Sequence, residues 1–446
     1  MTGRHLAAWC TLAACLLGSG AARAADPEKR PLPDYDGRGG PRQSPGQKAL
    51  WVPRVVLSPL YFVSEFVIRR PLGFAITAAE KAELPKVLYD FFAFGPDHKA
   101  GVIPIAFIDF GFLPSVGLYG FWSDAGFKGH QLALHGSTWG KDWLSGTATE
   151  RFNFAPEGLD VTLTATATHR PDYAFYGIGP DTRESQLVRY QADTVDALVE
   201  SRVTFAGGSL VETAAGYRGT SFGHSNFSPG RSLDDRVAVG RLSEPPGFRD
   251  GFRAPFAHSR LVLDSRGKST SASGGRLELL ADEGADLKNG PTSGWLRYGG
   301  TLGGFVDLGE SGRVLSLSVS ALLADPLGER PVPFTEQVTL GGPGMMPGFR
   351  AGRLVDRSAA VATLRYSWPI WVWLDGSLQV ATGNVFGARF DGFRAERGRL
   401  STAIGIESSG SRDSIFQALV GFGTETFESG AKLDSLRVVV GARSGF

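Results

Sequence analysis

A short stretch near the middle of the chain has the spacing of a catalytic serine. The segment from Gly219 to Gly223, GTSFG, matches the Gly-x-Ser-x-Gly pattern of hydrolases, and His224 follows it. The pattern is catalytic only where a strand turns sharply into a helix, because that turn exposes the serine hydroxyl. Here Ser221 ends a predicted strand and enters a long loop without a helical pattern. We therefore expect a chain that is not an enzyme.

Metal-ligating residue types are present, but they lack the spacing that a metal site needs. The histidines are scattered, with no i, i+4 pair of the kind that binds zinc. Both cysteines, Cys10 and Cys15, lie in a leader segment, so the mature chain has neither disulfides nor thiolate ligands. One group of acidic residues lacks the calcium-loop pattern: Asp264, Asp282, Glu283 and Asp286. We expect no metal ion and no cofactor.

Six arginines are candidates for a second kind of chemistry, the selection of ions. They occupy polar positions of segments that alternate between apolar and polar residues: Arg202, Arg276, Arg297, Arg365, Arg437 and Arg443. In a barrel, those positions face the interior. A water-filled interior tolerates such charges, whereas a ring of arginines would bias conduction toward anions. The sequence leaves both interpretations open.

The alternating segments indicate which elements position these side chains. From Leu159 to Thr168 apolar residues alternate with aspartate and threonine, and from Leu315 to Ala321 they alternate with serine. Alternation with a period of two predicts strands. A water-exposed sandwich would carry lysine and glutamate on its outer face. Small and arginine side chains on the polar face are instead typical of the interior of a membrane barrel.

The alternating segments are numerous enough to form a barrel. Sixteen predicted strands begin near Gly101, Ser115, Gly129, Trp143, Glu157, Leu187, Ser209, His258, Ser273, Gly294, Arg313, Ser358, Trp373, Arg397, Asp413 and Asp434. Short turns and long connections, such as 170–184, 222–257 and 324–357, separate them, as in outer-membrane barrels. An even number of antiparallel strands leaves no unpaired edge in lipid. The sequence predicts an all-β fold, a transmembrane antiparallel β-barrel of about sixteen strands over residues 96–446.

The residues before the barrel divide into three segments. Residues 1–24 have a basic start, an apolar stretch and an Ala-x-Ala site, which together predict a signal peptide. A lipoprotein cut at Cys15 is the alternative. Residues 25–50 are rich in proline, glycine and charge, which predicts a disordered arm. In residues 51–95 apolar residues recur at helical spacing between prolines, which predicts short amphipathic helices at the base of the barrel or, alternatively, inside it.

The balance of charge argues against one class of partner. The formal net charge is +1, and the leader contributes two arginines and no acids, so the mature chain is close to neutral. A general nucleic-acid binder needs many basic residues to neutralise phosphates. We expect outer-membrane lipids, and no nucleic acid, among the partners.

From Tyr89 to Phe446 the chain resembles the bacterial surface antigen family. That superfamily includes the outer-membrane barrel-assembly insertase, the translocation-and-assembly module and the two-partner-secretion transporters. In the family, a long loop between the eleventh and twelfth strands folds into the barrel interior. The stretch from Met346 to Phe349, MPGF, lies in the same connection here. The stretch from Phe175 to Gly179, FYGIG, resembles the family's aromatic-Tyr-Gly-x-Gly loop.

The resemblance implies a loop motif and a facing-strand motif. The loop motif is Pro347, Gly348 and Phe349, followed by Arg350 and Arg353, and the facing-strand motif is Ala381, Gly383, Asn384 and Phe386. In the family a loop arginine reaches an aspartate on the facing strand, but Pro347 and Ala381 stand at those two places. Loss of both partners leaves no unpaired buried charge. That leaves Arg350 or Arg353 to pair with another interior acid, with Asp375 as a candidate. An ordinary exposed loop is the alternative.

A second departure concerns the residues before the barrel. Family members that handle proteins carry POTRA domains there, and residues 25–95 do not have the pattern of one. We expect a member without POTRA domains, in the outer membrane of a Gram-negative bacterium. Its expected role is outer-membrane biogenesis or transport, and the alternative is a passive or anion-preferring solute pore. The sequence does not specify the client or solute.

The last residue provides a test of the resemblance. Phe446 resembles the terminal aromatic signal that the barrel-assembly machinery reads, so this machinery is the expected partner during biogenesis. Deletion of Phe446 is expected to lower the amount of membrane-inserted protein in cells, while protein refolded in detergent keeps nearly the same heat resistance. Heat-modifiable gel migration measures both quantities. Normal insertion of the deleted chain in cells would contradict the assignment.

Overall fold

A computed structural model describes residues 90–446, apart from 96, 108–111, 155–157, 206–207, 228–230, 267–272, 291, 309–311, 372–373, 409–414 and 444–446. The predicted leader, the arm, most of the helical segment and Phe446 lie outside these residues. Of the segment 51–95, residues 90–92 are helical. The short strand β1 (Ala93–Phe94) follows them and pairs with the first barrel strand.

Sixteen strands form the barrel. They are β2 (Ala100–Phe107), β3 (Ser115–Ser123), β4 (His130–Thr138), β5 (Leu144–Asn153), β6 (Leu159–Phe175), β7 (Val188–Phe205), β8 (Ser209–Gly223), β9 (Phe252–Asp264), β10 (Gly274–Ala285), β11 (Gly294–Asp307), β12 (Val314–Pro326), β15 (Ser358–Trp371), β16 (Leu374–Phe386), β17 (Arg399–Ser408), β18 (Ile415–Thr426) and β19 (Leu433–Arg443). Each pairs antiparallel with the next, and β12 pairs directly with β15. Between those two, β13 (Val338–Leu340) and β14 (Leu354–Asp356) form a separate two-stranded ladder.

The predicted barrel of sixteen antiparallel strands is confirmed. Fifteen of the predicted starts lie within two residues of the observed ones. The exception is β9, which was predicted near His258 and begins at Phe252. Pro255 and the charged Arg253 are residue types typical of a loop, so the sequence pattern does not indicate the first half of this strand. Phe252 and Ala254 are nevertheless fully buried there. Pro255 lies opposite Tyr217 of β8 and outside the pairing of β9 with β10, which begins at Phe256, so the missing N–H is not needed by that ladder.

The two faces of the strands differ in kind. Leu118, Leu302 and Leu436 lie on one face, and each is more than half exposed. On the other face Ser401 and Gln417 are fully buried. A membrane barrel exposes apolar side chains to lipid and turns polar ones inward, so burial identifies the interior face. None of the helices in the described part of the chain is long and apolar enough to cross a membrane.

The connections differ in length at the two ends of the barrel. One end, called the loop end, carries 176–187, 224–251, 327–357 and 387–398. The short helix α1 (Leu233–Ala238) lies in the second of these, and the β13–β14 ladder lies in the third. The other end, called the turn end, carries short connections. Residues that do not belong to the wall strands can therefore pack together at the loop end.

Gly405 tests how closely the strands pack. A Cβ atom here in β17 would lie 2.0 Å from the carbonyl oxygen of Ala418 in β18, whereas at Gly304 in β11 no atom lies within 4 Å. Backbone atoms cannot rotate away, so Gly405→Ala should lower the free energy of unfolding by about 1–3 kcal/mol. Gly304→Ala should change it by less than ~0.5 kcal/mol. Urea titration of protein refolded into lipid vesicles measures both, and equal stability of the two variants would contradict the packing.

Candidate functional site: the inner loop

The connection 327–357, called the inner loop, runs into the barrel. Its residues Met346, Phe349 and Leu354 are fully buried. They form one apolar cluster with wall residues that come from strands on one side of the barrel: Phe252, Trp295, Val361, Ala381 and Val385. Burial of apolar side chains is worth roughly 1.5–3 kcal/mol each, so this cluster holds the loop inside the wall.

At the tip of the inner loop, backbone atoms contact the barrel wall directly. The amide of Gly348 donates to Ser401 Oγ at 2.8 Å, and Ser435 Oγ donates to the Gly348 carbonyl. A Cβ atom at this glycine would lie 2.1 Å from the carbonyl oxygen of Phe422. The tip thus contacts β17, β18 and β19 together. Only glycine permits this approach, because any side chain would push the tip away.

Residues beside the tip add contacts with the same strands. A Cβ atom at Gly423 in β18 would lie 2.6 Å from the ring of Phe349, so the ring occupies the space above a wall glycine. Pro347 is buried, and its carbonyl approaches Gly421. Gln417 Nε2 donates to the carbonyl of Pro343. Phe349 therefore holds this part of the loop by packing on an interior glycine.

Arg353 holds the base of the inner loop. Its fully buried guanidinium donates to Thr182 Oγ1 and O, both at 2.8 Å, and it contacts Glu184 at 3.2 Å and Asp434 at 3.3 Å. Arg353 does not form the suggested pair with Asp375. Asp375 lies at the start of β16, at the turn end, whereas Arg353 lies at the loop end. A buried cation needs counter-charges within reach, and the nearest ones belong to the connection 176–187 and β19.

The FYGIG stretch meets the inner loop at this arginine. The guanidinium of Arg353 lies 4.6 Å from the ring centre of Tyr176, a cation–π contact. Burial raises the pKa of the Tyr176 phenol above its usual value, so the hydroxyl stays neutral and donates to Glu184. The amide of Gly179, at a left-handed φ of 115°, donates to the carbonyl of Val355 at 3.0 Å. Two motifs far apart in sequence therefore form one site.

A second anchor attaches the inner loop to the opposite strands. Arg218 in β8 lies 2.9 Å from Glu336 of the loop and 2.7 Å from Asp196 in β7. The neighbouring Phe334 packs against four aromatic rings at centroid distances of 5.0–6.2 Å: Phe175, Tyr190, Phe222 and Phe248. The loop therefore contacts the barrel wall on both sides of the interior.

Arg350 contacts the connection after the first barrel strand. Its guanidinium lies 4.5 Å from the centre of the Phe112 ring, and those of Arg170 and Arg189 lie 4.8 and 4.9 Å from the same ring. The amide of Leu113 donates to the carboxylate of Asp172 at 2.6 Å. These contacts tie the connection after β2 to the inner loop and to β6.

The facing-strand motif is divided between two environments. Ala381 is fully buried in the apolar cluster of Phe349, and Gly383 approaches the backbone of β15. Asn384 donates instead to the carbonyls of Pro180 and Arg397, and the buried Phe386 packs against Phe393. Ala381 alone of these four belongs to the apolar cluster of the inner loop. Gly383 packs against β15, and Asn384 and Phe386 contact the connections at the loop end.

The candidate interior arginines are paired with carboxylates. Arg202 contacts Glu212 at 2.9 Å, Arg276 contacts Asp264 at 3.1 Å, Arg297 contacts Asp282 at 2.6 Å, Arg437 contacts Glu184 at 2.7 Å, and Arg365 contacts Glu407. Arg443 ends β19, and its side chain lies outside the described residues. Opposite charges at these distances cancel most of each other's field.

The serine motif lies within a strand. The whole stretch from Gly219 to Gly223 belongs to β8, so no strand-to-helix elbow exposes Ser221. In the pairing of β7 with β8, Ser221 lies opposite Asp193. Within the described residues no group of His, Cys, Asp or Glu has the arrangement of a metal site.

Sequence patterns do not single out several residues of the site. Thr182, Glu184 and Asp434 bind Arg353, but the first two lie in a connection and the third is the second residue of β19, where no periodicity marks an interior position. Glu336 is equally inconspicuous. The signal available was the proximity of Glu184 to the FYGIG motif. Pairing it with an arginine 169 residues later requires the fold.

Comparisons with solved structures identify the fold. BamA from Haemophilus ducreyi lacking POTRA domains 1-3 superposes with a TM-score of 0.54 at 12% identity, over 77% of this chain and 70% of that one. CdiB from Acinetobacter baumannii gives 0.46 at 12% identity, over 77% and 59%, and the alcaligin receptor FauA from Bordetella pertussis gives 0.34 at 9%, over 76% and 56%. No protein-family model and no curated protein sequence matches the chain. The chain therefore shares the barrel fold of BamA.

Proposed function

We propose that this protein is an outer-membrane barrel that acts in outer-membrane biogenesis or transport and that the inner loop gates its interior. The observation that carries the proposal is the double anchorage of that loop. Its tip and Arg353 bind β17–β19, and Glu336 binds β8. A loop that only connected two strands would not need buried polar contacts on both sides of the barrel.

The state of the interior charges favours a gate over a passive anion-preferring pore. Anion selectivity needs arginines whose field is available to the ion. Each of the five described candidate arginines contacts a carboxylate, so their fields are largely cancelled. The pore therefore remains the second hypothesis, and its test is conductance.

Two assays on the refolded chain separate the hypotheses. Planar-bilayer recording measures steady conductance, and a liposome assay measures whether the chain accelerates insertion of an unfolded client barrel. A gated biogenesis protein should show low conductance and accelerated insertion. Large steady conductance without accelerated insertion would overturn the proposal in favour of the pore.

Arg353→Gln should open the gate. The neutral side chain cannot satisfy Glu184 and Asp434, and a hydrogen bond to a charged group contributes about 1.5–3 kcal/mol. The loop should therefore leave the wall roughly ten to a hundred times more often. Single-channel recording should show a matching rise in open probability. Arg330→Gln is the matched control, because Arg330 lies on the same loop in an exposed pair with Asp250. Equal open probability in both variants would refute the anchor.

Gly348→Ala should act in the same direction through the tip. Its Cβ atom would overlap the carbonyl oxygen of Phe422, whereas at Gly344, in the same loop, a Cβ atom meets nothing within 4 Å. Relief of the overlap requires the tip to move off the wall, at a cost of about 1–3 kcal/mol. Protease cleavage of the loop in refolded protein should therefore be faster in Gly348→Ala than in Gly344→Ala. Identical cleavage rates of the two variants would mean that the tip does not contact the barrel wall.

A further inference from the structure

A small polar cavity opens at the loop end, beside the anchor of the inner loop, because the carbonyl of Thr182 accepts hydrogen bonds from both Arg353 and Arg399. Its volume is about 220 Å³. The connections 176–187, 387–398 and 427–432 form its sides, and the top of β17 forms its floor. The residues that line it include the arginines Arg394, Arg397 and Arg399 and the carboxylates Asp181, Glu425 and Glu428. We call it the rim cavity.

The floor of the rim cavity is fixed by buried hydrogen bonds. The almost fully buried Arg399 donates to the carbonyls of Pro180 at 2.9 Å, Thr182 at 2.6 Å and Thr424 at 3.2 Å. Asn384 links the carbonyls of Pro180 and Arg397. Two connections and the end of β18 are therefore held in one arrangement, which lowers the ordering cost of binding a ligand there.

The arginines above the floor have weak partners. Arg394 contacts Glu428 at 3.2 Å with both side chains half exposed, and such a pair contributes little because water screens it. Arg397 contacts Asp181 at 3.7 Å and donates to the carbonyl of Gly392 at 3.3 Å. Nε of Arg397 is buried without a hydrogen-bond partner in the described structure. These guanidiniums can therefore turn to a stronger acceptor at small cost.

The cavity lies where the apolar outer surface ends. Phe393 and Phe427, on two of its three connections, are about half exposed, and Leu433 and Leu436 of the neighbouring β19 are exposed below. Aromatic side chains mark the interface of a membrane barrel with lipid headgroups. The arginines are therefore at headgroup level, with apolar surface for acyl chains beneath them.

We propose that the rim cavity binds the phosphate of a phosphorylated membrane lipid. Guanidinium groups present donors in a fork that matches phosphate oxygens, and Arg394 and Arg397 supply two forks above the fixed floor. The carboxylate of Glu428 is the group that the phosphate displaces from Arg394. This inference rests on the proposed placement in the outer membrane.

The test uses the full chain refolded in a neutral detergent. Native mass spectrometry measures binding of phosphatidic acid and of the diacylglycerol with the same acyl chains, which differ only in the phosphate. Phosphatidic acid should bind at least tenfold more tightly. The double variant Arg394→Gln/Arg397→Gln should lose this preference, whereas Arg249→Gln should retain it, because Arg249 is an exposed, paired arginine in the connection 224–251.

A substitution that is expected to strengthen lipid binding distinguishes a direct effect on the site from a merely structural one. Glu428→Gln frees Arg394 and removes a repelling charge, so it should tighten phosphatidic acid binding several-fold. Equal affinity for both lipids, or unchanged affinity in the double variant, would overturn the inference. If inorganic phosphate at the same concentration displaces the lipid, the site is one for free phosphate, and the lipid assignment fails. Failure of the chain to insert into bilayers would instead refute the proposed function.

Discussion

The buried guanidinium of Arg353 is the contact on which the arrangement of the loop end depends. It joins the inner loop, the connection 176–187 and β19, because Thr182, Glu184 and Asp434 all converge on it. A cation in such surroundings is stable only if each partner stays in place. The positions of three chain segments are therefore coupled through one side chain, and none of them can shift without exposing unpaired charge.

This coupling explains how the inner loop stays inside without the ion pair of the family that it resembles. Where that pair would stand, Pro347 is buried and Ala381 packs in the apolar cluster of Phe349. Backbone hydrogen bonds of Gly348 hold the tip. The charge-assisted contact of the loop lies at its base, at Arg353. A buried ion pair and an apolar contact of similar volume can be close in stability, so the tip and the base together keep the loop docked.

The parts of this structure that periodicity controls could be predicted from the sequence, and the parts that depend on distant contacts could not. Strand starts follow from alternation, since inward and outward side chains face different solvents. The start of β9 was misplaced because Arg253 and Pro255 suit a loop as well as an edge. From the sequence, Gly348 could be recognised only as a motif position, and its close approach to the wall could not be predicted. Its partners Ser401 and Ser435 look like any other interior serine, and the partners of Arg353 lie in a connection and at the start of the last strand, where alternation gives no information.

The inner loop contacts two regions of the barrel wall that differ in the length of their strands. Its anchors at Phe334 and Glu336 lie on the side of β6–β8, the longest of the barrel strands, with 17, 18 and 15 residues. Its tip and base bind the last three strands, while its contact with the region after β2 is the stacking of Arg350 on Phe112. Long strands with full ladders make the first side rigid. Release of the tip therefore removes support from β17–β19 rather than from β6–β8. The same contacts that close the interior thus brace the last three strands of the wall.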